Sequence, residues 1–216
     1  MRSLPEYYGR RAPEYEQKFR STDPVRQSEL AAIAAALKEL FCGRRVLEVA
    51  CGTGYWTQIV ADVAARVTGV DLSREMLALA RGKKLPADKV EFLLADAFQL
   101  QTVPGTFDAG LANFFLSHVP KARLAEFLAG LHKKLGPNAI VFLADDVDVP
   151  GLGGQSAARP GNEDTIRLRT LPDGTQYEVI KSFYPPEQLR SVLAPWSTKV
   201  RLHFGQHFWW ASCLTL

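Results

Sequence analysis

Short apolar runs alternate along this chain with segments whose apolar residues have helical spacing. The runs end at residues 49, 70, 94, 112 and 144, and each has the length of a buried strand. Because a strand followed by a helix returns through a right-handed crossover, this alternation predicts a parallel sheet. The pattern therefore indicates the α/β class.

Capping residues mark the start of two helices. Asp23 before Pro24 predicts a helix over 24–40, since Asp accepts backbone N–H groups and Pro suits the first helical position. Ser73 predicts a second helix that ends near Arg81.

The pattern changes after the fifth strand. Residues 148–164 are rich in Gly, Pro, Ser and Asn, which predicts a mobile loop. The segments 165–169 and 176–180 alternate around Pro172-Asp173-Gly174, which predicts a β-hairpin. A helix over 187–193 follows.

A glycine turn follows the strand that ends at Val49. Gly52 and Gly54 separate this strand from a helix, and such a turn brings backbone N–H groups close to a ligand. Asp71 ends the next strand, about 20 residues further on, where an acid binds a ribose diol. A dinucleotide fold requires Gly or Ala at the position of Thr57, so the sequence departs from that fingerprint.

The same stretch resembles motif I of the class I S-adenosylmethionine (SAM) methyltransferases, of the form (D/E)-x-(G/A)-x-G-x-G. Glu48, Ala50, Gly52 and Gly54 match it, and Ala50 stands where Gly is commoner. The extra methyl group of Ala50 does not seriously weaken the match.

This resemblance implies the class I methyltransferase fold, a Rossmann-like, seven-stranded, mostly parallel sheet with helices on both faces. Strands near 198–204 and 207–215 would close it as an antiparallel pair. The loop and hairpin, 148–184, would form an insertion after strand five. We expect a single SAM-binding domain over 1–216.

The resemblance also implies SAM as the cofactor and S-adenosylhomocysteine (SAH) as its product. The glycines would approach the methionine part, Asp71 would bind the ribose hydroxyls, and Asp96 would accept a hydrogen bond from adenine. The residues expected at the cofactor are Glu48, Ala50, Cys51, Gly52, Gly54, Asp71, Leu72, Met76, Asp96, Ala97, Asn113 and Phe114.

Residues 1–22 resemble a leader found in many class I methyltransferases, Y-(Y/D)-x-x-A-x-x-Y. Tyr7, Tyr8, Ala12 and Tyr15 match it. In the family this leader forms a lid over the cofactor methyl group and the substrate, so Tyr7 and Tyr15 are expected to contact substrate. An N-terminal helix that covers a sheet edge is the alternative, because such aromatic residues mostly serve packing.

His118 is the candidate catalytic residue. Methyl transfer is an in-line displacement, so the protein mainly positions the reactants, and a base is needed only for a protonated nucleophile. His118 follows the fourth strand, where a base or a substrate contact would lie, and a structural histidine is the alternative. His203 and His207 fall across a turn between strands, so no metal is expected there.

Asp145, Asp146 and Asp148 follow the fifth strand. Catechol-type O-methyltransferases hold a divalent cation with acids at this place and one after strand four, where this chain has Asn113. Recognition of an amine substrate is a second interpretation. The third interpretation, which we prefer, is that these acids cap the loop that follows, so no metal site is predicted.

Composition narrows the classes of function. The chain has 216 residues, 47% apolar and 23% charged, as in a soluble globular protein. Its net charge of +3 is spread out, so nucleic acid is not expected as a partner. No apolar run approaches the ~20 residues of a membrane span, and neither a secretory signal nor a CxxC pair is present. We expect a cytoplasmic protein without membrane contact.

The predicted function is methyl transfer from SAM to an O or N atom of a small-molecule metabolite. The alternatives are a methyltransferase for RNA or protein and a SAM-binding module without methyl transfer. The segment 113–116 lacks the prolines of (N/D/S)-P-P-(Y/F/W), and no cysteine lies between Cys51 and Cys213, so base methylation is disfavoured. Trp209 and Trp210 near the C-terminus are candidates for a dimer contact, so both a monomer and a homodimer stay open.

Overall fold

The structure is a computed structural model, and it describes residues 4–149, 155–157 and 163–216. Its strands are β1 (Arg45–Val49), β2 (Arg66–Asp71), β3 (Val90–Leu94), β4 (Ala109–Asn113), β5 (Ile140–Asp146), β6 (Gln155–Ala157), β7 (Ile166–Thr170), β8 (Gln176–Ile180), β9 (Ser197–Phe204) and β10 (Phe208–Thr215). Its α-helices are α1 (Leu4–Arg11), α2 (Pro24–Phe41), α3 (Tyr55–Ala61), α4 (Arg74–Gly82), α5 (Leu124–Leu135) and α6 (Pro186–Leu193). Among the described residues, no helix is both long enough and apolar enough to cross a membrane.

Seven strands form the main sheet in the order β3-β2-β1-β4-β5-β10-β9. The strands β1 to β5 are parallel, whereas β10 is antiparallel to both β5 and β9. The prediction of a seven-stranded, mostly parallel sheet closed by an antiparallel pair is therefore confirmed. The carboxyl ends of the parallel strands meet at one edge, where ligands bind in open α/β sheets.

The predicted caps start two of the helices. Asp23 accepts the N–H of Val25 at 2.9 Å at the start of α2, and Ser73 accepts the N–H of Met76 at 3.2 Å at the start of α4. A short 3-10 turn precedes α5, and no side chain caps the start of that helix. Local capping chemistry thus predicted two of these starts.

Two apolar clusters hold the sheet between helix layers. One contains Phe41 of α2 and Trp56 of α3, and the other contains Phe127 of α5 and Leu189 of α6. Because neighbouring residues of a strand point to opposite faces, Val46 and Leu47 belong to different clusters. Each such buried side chain stabilises the fold by about 1.5–3 kcal/mol. The strand ends are therefore carried by a firmly packed scaffold.

The insertion after β5 is a three-stranded antiparallel sheet, in the order β6-β7-β8. The pairing of β7 with β8 agrees with the predicted hairpin, but β6 adds a third strand beside β7. The two-stranded prediction was incomplete because β6 has only three residues and lies within the Gly- and Pro-rich segment. Apart from β6 and its two ends, the predicted mobile loop over 148–164 lies outside the described residues.

The leader packs against this second sheet. The Tyr7 ring lies 5.4 Å from the Tyr177 ring, and the Tyr177 hydroxyl donates to Glu6 at 3.0 Å. Arg10 pairs with Asp173 in the turn between β7 and β8. The first residues of the chain and the insertion therefore form one cover, and a 3-10 helix over Ala12–Phe19 continues it.

A carboxylate of α2 holds the turn between β9 and β10. Glu29 accepts the backbone N–H groups of Gln206 at 2.6 Å, His207 at 3.0 Å and Phe208 at 3.0 Å. Hydrogen bonds to a charged acceptor are stronger than those between neutral groups. Glu29 thus joins the antiparallel end of the sheet to the helix layer.

We expect Glu29→Ala to lower the free energy of unfolding by roughly 1–3 kcal/mol, because three N–H groups lose their acceptor. Urea denaturation followed by circular dichroism measures this change. Glu39→Ala, at an exposed position of the same helix, is the control and should change stability by less than about 0.5 kcal/mol. Equal stability of the two variants would show that water replaces the carboxylate without cost.

Candidate functional site

A cavity of about 540 Å³ lies at the carboxyl edge of the main sheet, beneath the cover. Loops after the parallel strands form its floor, and the leader and the second sheet form its roof. The predicted cofactor residues that line it are Ala50, Gly52, Asp71, Leu72, Met76, Asp96, Ala97 and Phe114. The structure therefore brings eight residues, from the ends of four parallel strands and the segments that follow them, to one cavity.

The turn after β1 is shaped by residues with a left-handed backbone. The φ angle is 55° at Gly52 and 75° at Gly54, which glycine adopts without strain, and 53° at Ala50. Asp71 holds this turn, since one carboxylate oxygen accepts the N–H of Gly52 at 2.9 Å and the other accepts the N–H of Ser73 at 2.8 Å. Burial raises the pKa of Asp71, against the effect of these hydrogen bonds. Asp71 thus orders the glycine turn and also faces the cavity.

Two predicted cofactor residues of this turn lie behind the cavity wall. A Cβ atom at Gly54 would lie 3.2 Å from the Cβ of Ala80, so glycine at this position allows α4 to approach the turn. Cys51 is buried, and its N–H donates to the carbonyl of Val70 at 3.0 Å. Gly54 and Cys51 therefore support the turn from behind, and their expected contact with the cofactor stays a prediction.

Glu48 is a buried acid beneath the turn. It is 2% exposed, and its carboxyl accepts the hydroxyl of Thr57 at 2.5 Å. Burial raises the pKa of Glu48 to about 8 in spite of this hydrogen bond, so the group is mostly protonated at neutral pH. Thr57, which departs from the dinucleotide fingerprint, therefore supplies the partner that a buried acid requires.

Asn113 is a buried polar residue that directly precedes Phe114, one of the residues that line the cavity. It is 6% exposed, and neither its amide nitrogen nor its amide oxygen has a hydrogen-bond partner in the described part of the chain. Buried polar atoms are nearly always paired, so a ligand or water is needed to satisfy this one. Phe114 beside it has a φ angle of 57° and turns its ring toward the cavity.

The expected adenine end has both polar and apolar walls. Asp96 accepts the N–H of Phe98 at 2.9 Å and lines the cavity with Ala97. Leu72 is 50% exposed at the rim, whereas Met76 is 2% exposed at the base. An exposed leucine and a buried methionine on either side of a gap suit a flat apolar ring.

Tyr8, His118 and the carbonyl of Ile180 meet at the opposite end of the cavity. The Ile180 carbonyl can only accept, so Nδ1 of His118 carries the proton and donates to it at 2.6 Å. The unprotonated Nε2 then accepts the hydroxyl of Tyr8 at 2.6 Å. The leader, the loop after β4 and the second sheet each contribute one of these three groups.

Two ionisable groups at this end, His118 and Tyr8, are neutral. Burial and the nearby charge of Lys181 lower the pKa of His118 to about 3, so its imidazole is uncharged at neutral pH. Burial raises the pKa of Tyr8 above its usual range. His118 is therefore suited to accept a hydrogen bond rather than to act as a strong base.

Of the two leader tyrosines expected to contact substrate, Tyr15 lines this cavity and Tyr7 does not. Tyr7 packs on Tyr177 outside the cavity, and its neighbour Tyr8 lines the cavity instead. Tyr15 also lines it, as expected, and its hydroxyl accepts a hydrogen bond from Lys18 at 2.9 Å. Burial lowers the pKa of Lys18 to about 7. A helical leader turns adjacent tyrosines to different sides, which their spacing in the sequence did not reveal.

Asp145 and Asp146, which were expected to follow the fifth strand, are the last residues of β5, and they bind a lysine that sequence analysis missed. Lys181 donates to Asp145 at 2.6 Å and lies 2.7 Å from Asp146, while Asp148 pairs with Arg167 at 2.7 Å. No group of three metal-binding side chains is found within the described residues. The signal available in the sequence was a lone lysine directly after a strand, which by itself says nothing about its partners.

The two histidines of the H-x3-H spacing, His203 and His207, contact different residues. His203 stacks on Trp210 with ring centroids 3.7 Å apart, and His207 lies 3.1 Å from a carboxylate oxygen of Asp23. They therefore hold the closing strands to their surroundings.

Sequence relatives of this chain are methyltransferases. A family profile described as "Methyltransferase domain" matches residues 46–138. The ubiquinone biosynthesis O-methyltransferase of Xanthomonas campestris pv. campestris is 30% identical over 180 residues, which are 82% of this chain and 70% of that protein. The O-methyltransferase cnsE of Penicillium expansum is 36% identical over 107 residues, and the chain spans only 38% of its length.

Solved structures share the fold across the whole chain. The DhpI–SAH complex has a TM-score of 0.73 at 32% identity and covers 98% of this chain and 94% of DhpI. A DhpI–SAM–HEP complex has a TM-score of 0.72 at 32% identity and covers 99% of both chains. PH0226 from Pyrococcus horikoshii OT3, with a TM-score of 0.76 at 18% identity over 99% of this chain and 100% of that one, shares the fold alone.

We expect Asp71→Asn to weaken SAM binding by about 10²-fold, or roughly 2.7 kcal/mol. The amide nitrogen of Asn cannot accept the N–H of Gly52 or Ser73, so the glycine turn loosens, and the charge near the ribose is lost. Calorimetric titration of SAM measures this, with the exposed Asp88→Asn as the control. Wild-type affinity for SAM in a folded Asp71→Asn variant would show that Asp71 does not contribute to cofactor binding.

His118 should make the stability of the fold dependent on pH. Its pKa is lowered from 6.5 to about 3, so between these values the unfolded chain binds a proton that the folded chain does not. Its stabilising contribution is complete above pH 6.5 and is lost as the pH falls toward 3.

From pH 6 to 4, the wild type should therefore lose about 1.4 kcal/mol more per pH unit than His118→Gln. Urea denaturation at each pH measures the two slopes. Identical slopes for wild type and His118→Gln would show that His118 is not held neutral.

Proposed function

This chain belongs to the family of SAM-dependent methyltransferases, and we propose that it methylates an oxygen atom of a small molecule. The observation that carries this proposal is the single cavity that runs from the cofactor residues to Tyr8 and His118. SAM supplies a methyl group that is bound to a sulfonium sulfur. The acceptor oxygen displaces this sulfur from the methyl carbon, and SAH is the leaving group. The chain's own task is to place that oxygen in line with the methyl group.

The size and enclosure of the cavity favour a small acceptor. A volume of about 540 Å³ falls within the range of small-molecule sites. The leader and the second sheet cover it from above, with Tyr8 on one side and Ile166 and Ile180 on the other. An RNA or protein substrate would need an open groove at this place. The unpartnered amide of Asn113 and the left-handed turn at Gly52 fit a cofactor at the other end.

The chemistry of the acceptor end favours an oxygen. Apolar side chains, including Phe115, Ile166 and Ile180, surround the hydrogen-bonded pair of Tyr8 and His118. An acceptor hydroxyl can donate to the oxygen of Tyr8, whose own proton is already directed at Nε2 of His118. The sequence relatives point the same way, since cnsE and the Xanthomonas enzyme are named O-methyltransferases.

Proton removal follows the same path. As the O–CH₃ bond forms and the S–CH₃ bond breaks, the proton of an acceptor hydroxyl passes to the oxygen of Tyr8, and the Tyr8 proton passes to His118. An acceptor that arrives already ionised needs no such relay. Because the pKa of His118 is about 3, acidic hydroxyls are the preferred acceptors.

The test is an acceptor screen with SAM and a panel of apolar phenols, enols and alcohols. Mass spectrometry should detect a product heavier than its acceptor by one CH₂ group, together with an equal amount of SAH. Products formed only from RNA or protein, or binding of SAM without turnover, would contradict the proposal and support the corresponding alternative.

Once an acceptor is identified, Tyr8→Phe should lower kcat by about 10²-fold, because the relay loses its hydroxyl. Its affinity for SAM should remain that of the wild type. Tyr7→Phe removes the adjacent hydroxyl, which lies outside the cavity, and is the matched control. Equal kcat values for the two variants would exclude the relay through Tyr8.

A further inference from the structure

A buried cation lies behind the acceptor end of the cavity. The side chain of Lys181 is 5% exposed, and its ammonium group has three neighbours. It donates to the hydroxyl of Ser117 at 2.8 Å and to Asp145 at 2.6 Å, and it lies 2.7 Å from a carboxylate oxygen of Asp146. An ammonium has three N–H donors, so these contacts use all of them.

The same acids hold the loop that carries His118. The other oxygen of Asp145 accepts the N–H of Ser117 at 2.9 Å. The carbonyl of Ser117 accepts the N–H of Ser182 at 2.8 Å. The N–H, the carbonyl and the hydroxyl of Ser117 are thus each held, from β5 on one side and from the residues after β8 on the other.

His118 is the next residue, and its ring depends on the same junction. Nδ1 donates to the carbonyl of Ile180, the residue immediately before Lys181. A shift of Ser117 relative to this strand would separate the ring from that carbonyl. Nε2 would then no longer be held where it accepts the hydrogen bond of the Tyr8 hydroxyl.

We propose that Lys181 is a positioning residue: by joining Ser117 to Asp145 and Asp146, it fixes His118 with Nε2 directed at the hydroxyl of Tyr8. The reaction in which His118 takes part rests on the function proposed above. The arrangement itself does not, because it can be observed without any acceptor. Lys181 therefore links the folding of the insertion to the geometry of the acceptor site.

Direct binding of the acceptor by Lys181 does not agree with these contacts. Its three donors are occupied, and it is not among the residues that line the cavity. Burial alone would lower the pKa of Lys181, but the charges of Asp145 and Asp146 outweigh it and hold the pKa above its usual range, so the lysine is not a base. The positive charges of Lys181 and Lys18 in turn lower the pKa of Asp146 to about 2, although burial alone would raise it.

A purely structural role also explains less of the arrangement. A buried ion pair seldom stabilises a fold more than well-packed apolar side chains would. A lysine here instead satisfies a serine hydroxyl and two acids at once, directly beside the candidate catalytic histidine. The titratable groups that act on the His118 ring are Tyr8, Lys18, Asp145 and Lys181.

Nuclear magnetic resonance of ¹⁵N-histidine-labelled protein tests the proposal without an acceptor. In the wild type, the His118 signals should show the Nδ1–H tautomer and no titration between pH 5 and 8. In Lys181→Met the positive charge is lost and Asp145 is unpaired, so His118 should titrate with a midpoint raised by about one pH unit or more, and its single tautomer should be lost. Lys133→Met, at an exposed position of α5, should match the wild type.

Ser117→Ala is a second variant for the case that Lys181→Met does not fold. It removes the hydroxyl that Lys181 binds and leaves both ion pairs intact, so the Nδ1–H tautomer of His118 should become partly populated rather than exclusive. If each folded variant retains the wild-type tautomer and titration, Lys181 does not position His118 and the proposal is wrong.

Cofactor affinity separates this result from failure of the methyltransferase site. Because Lys181 lies outside the cavity, Lys181→Met should bind SAM within about twofold of the wild type. With a known acceptor, it should lower kcat by about tenfold or more with little change in the KM for SAM, and Lys181→Arg should restore part of that loss. A wild-type kcat in Lys181→Met would overturn the catalytic consequence even if the proposed reaction is correct.

Discussion

The parallel sheet constrains the rest of the molecule, because all its parallel strands must end at the same edge. The ends of β1 and β2 are therefore neighbours, and a carboxylate oxygen of Asp71 accepts the N–H of Gly52 at 2.9 Å, although 19 residues separate them. The apolar clusters on both faces hold these ends in place, so the glycine turn is ordered by the scaffold. The strand order therefore determines where the candidate cofactor site lies.

The acceptor end depends on a different kind of organisation. Tyr8 comes from the start of the chain, His118 from the loop after β4 and Ile180 from the insertion, and their hydrogen bonds join residues 110 and 62 positions apart. The cover that carries two of these groups rests on contacts such as Tyr7 with Tyr177. Selectivity for an acceptor would therefore lie in the leader and the insertion, whereas the cofactor site lies in the sheet.

Three buried ionisable groups near the site are accommodated in three different ways. Glu48 is mostly protonated at neutral pH, His118 is uncharged, and Lys181 is paired with two carboxylates. An isolated charge is costly in such surroundings, and each group avoids that cost. Acidic and basic side chains also line the cavity, namely Asp71, Asp96, Arg123 and Glu178.

Periodicity and spacing alone determined the order of the elements, the caps at Asp23 and Ser73, and the glycine turn with its acid at Asp71. These features depend on neighbours within one or two turns of the chain, so a local pattern is sufficient to predict them. Only the tertiary structure decided that Tyr8 rather than Tyr7 faces the cavity, that Gly54 serves the packing of α4, and that Asp145 and Asp146 bind Lys181. The physical reason is that these contacts join distant segments, whose relative placement depends on packing, and no spacing within one segment records it.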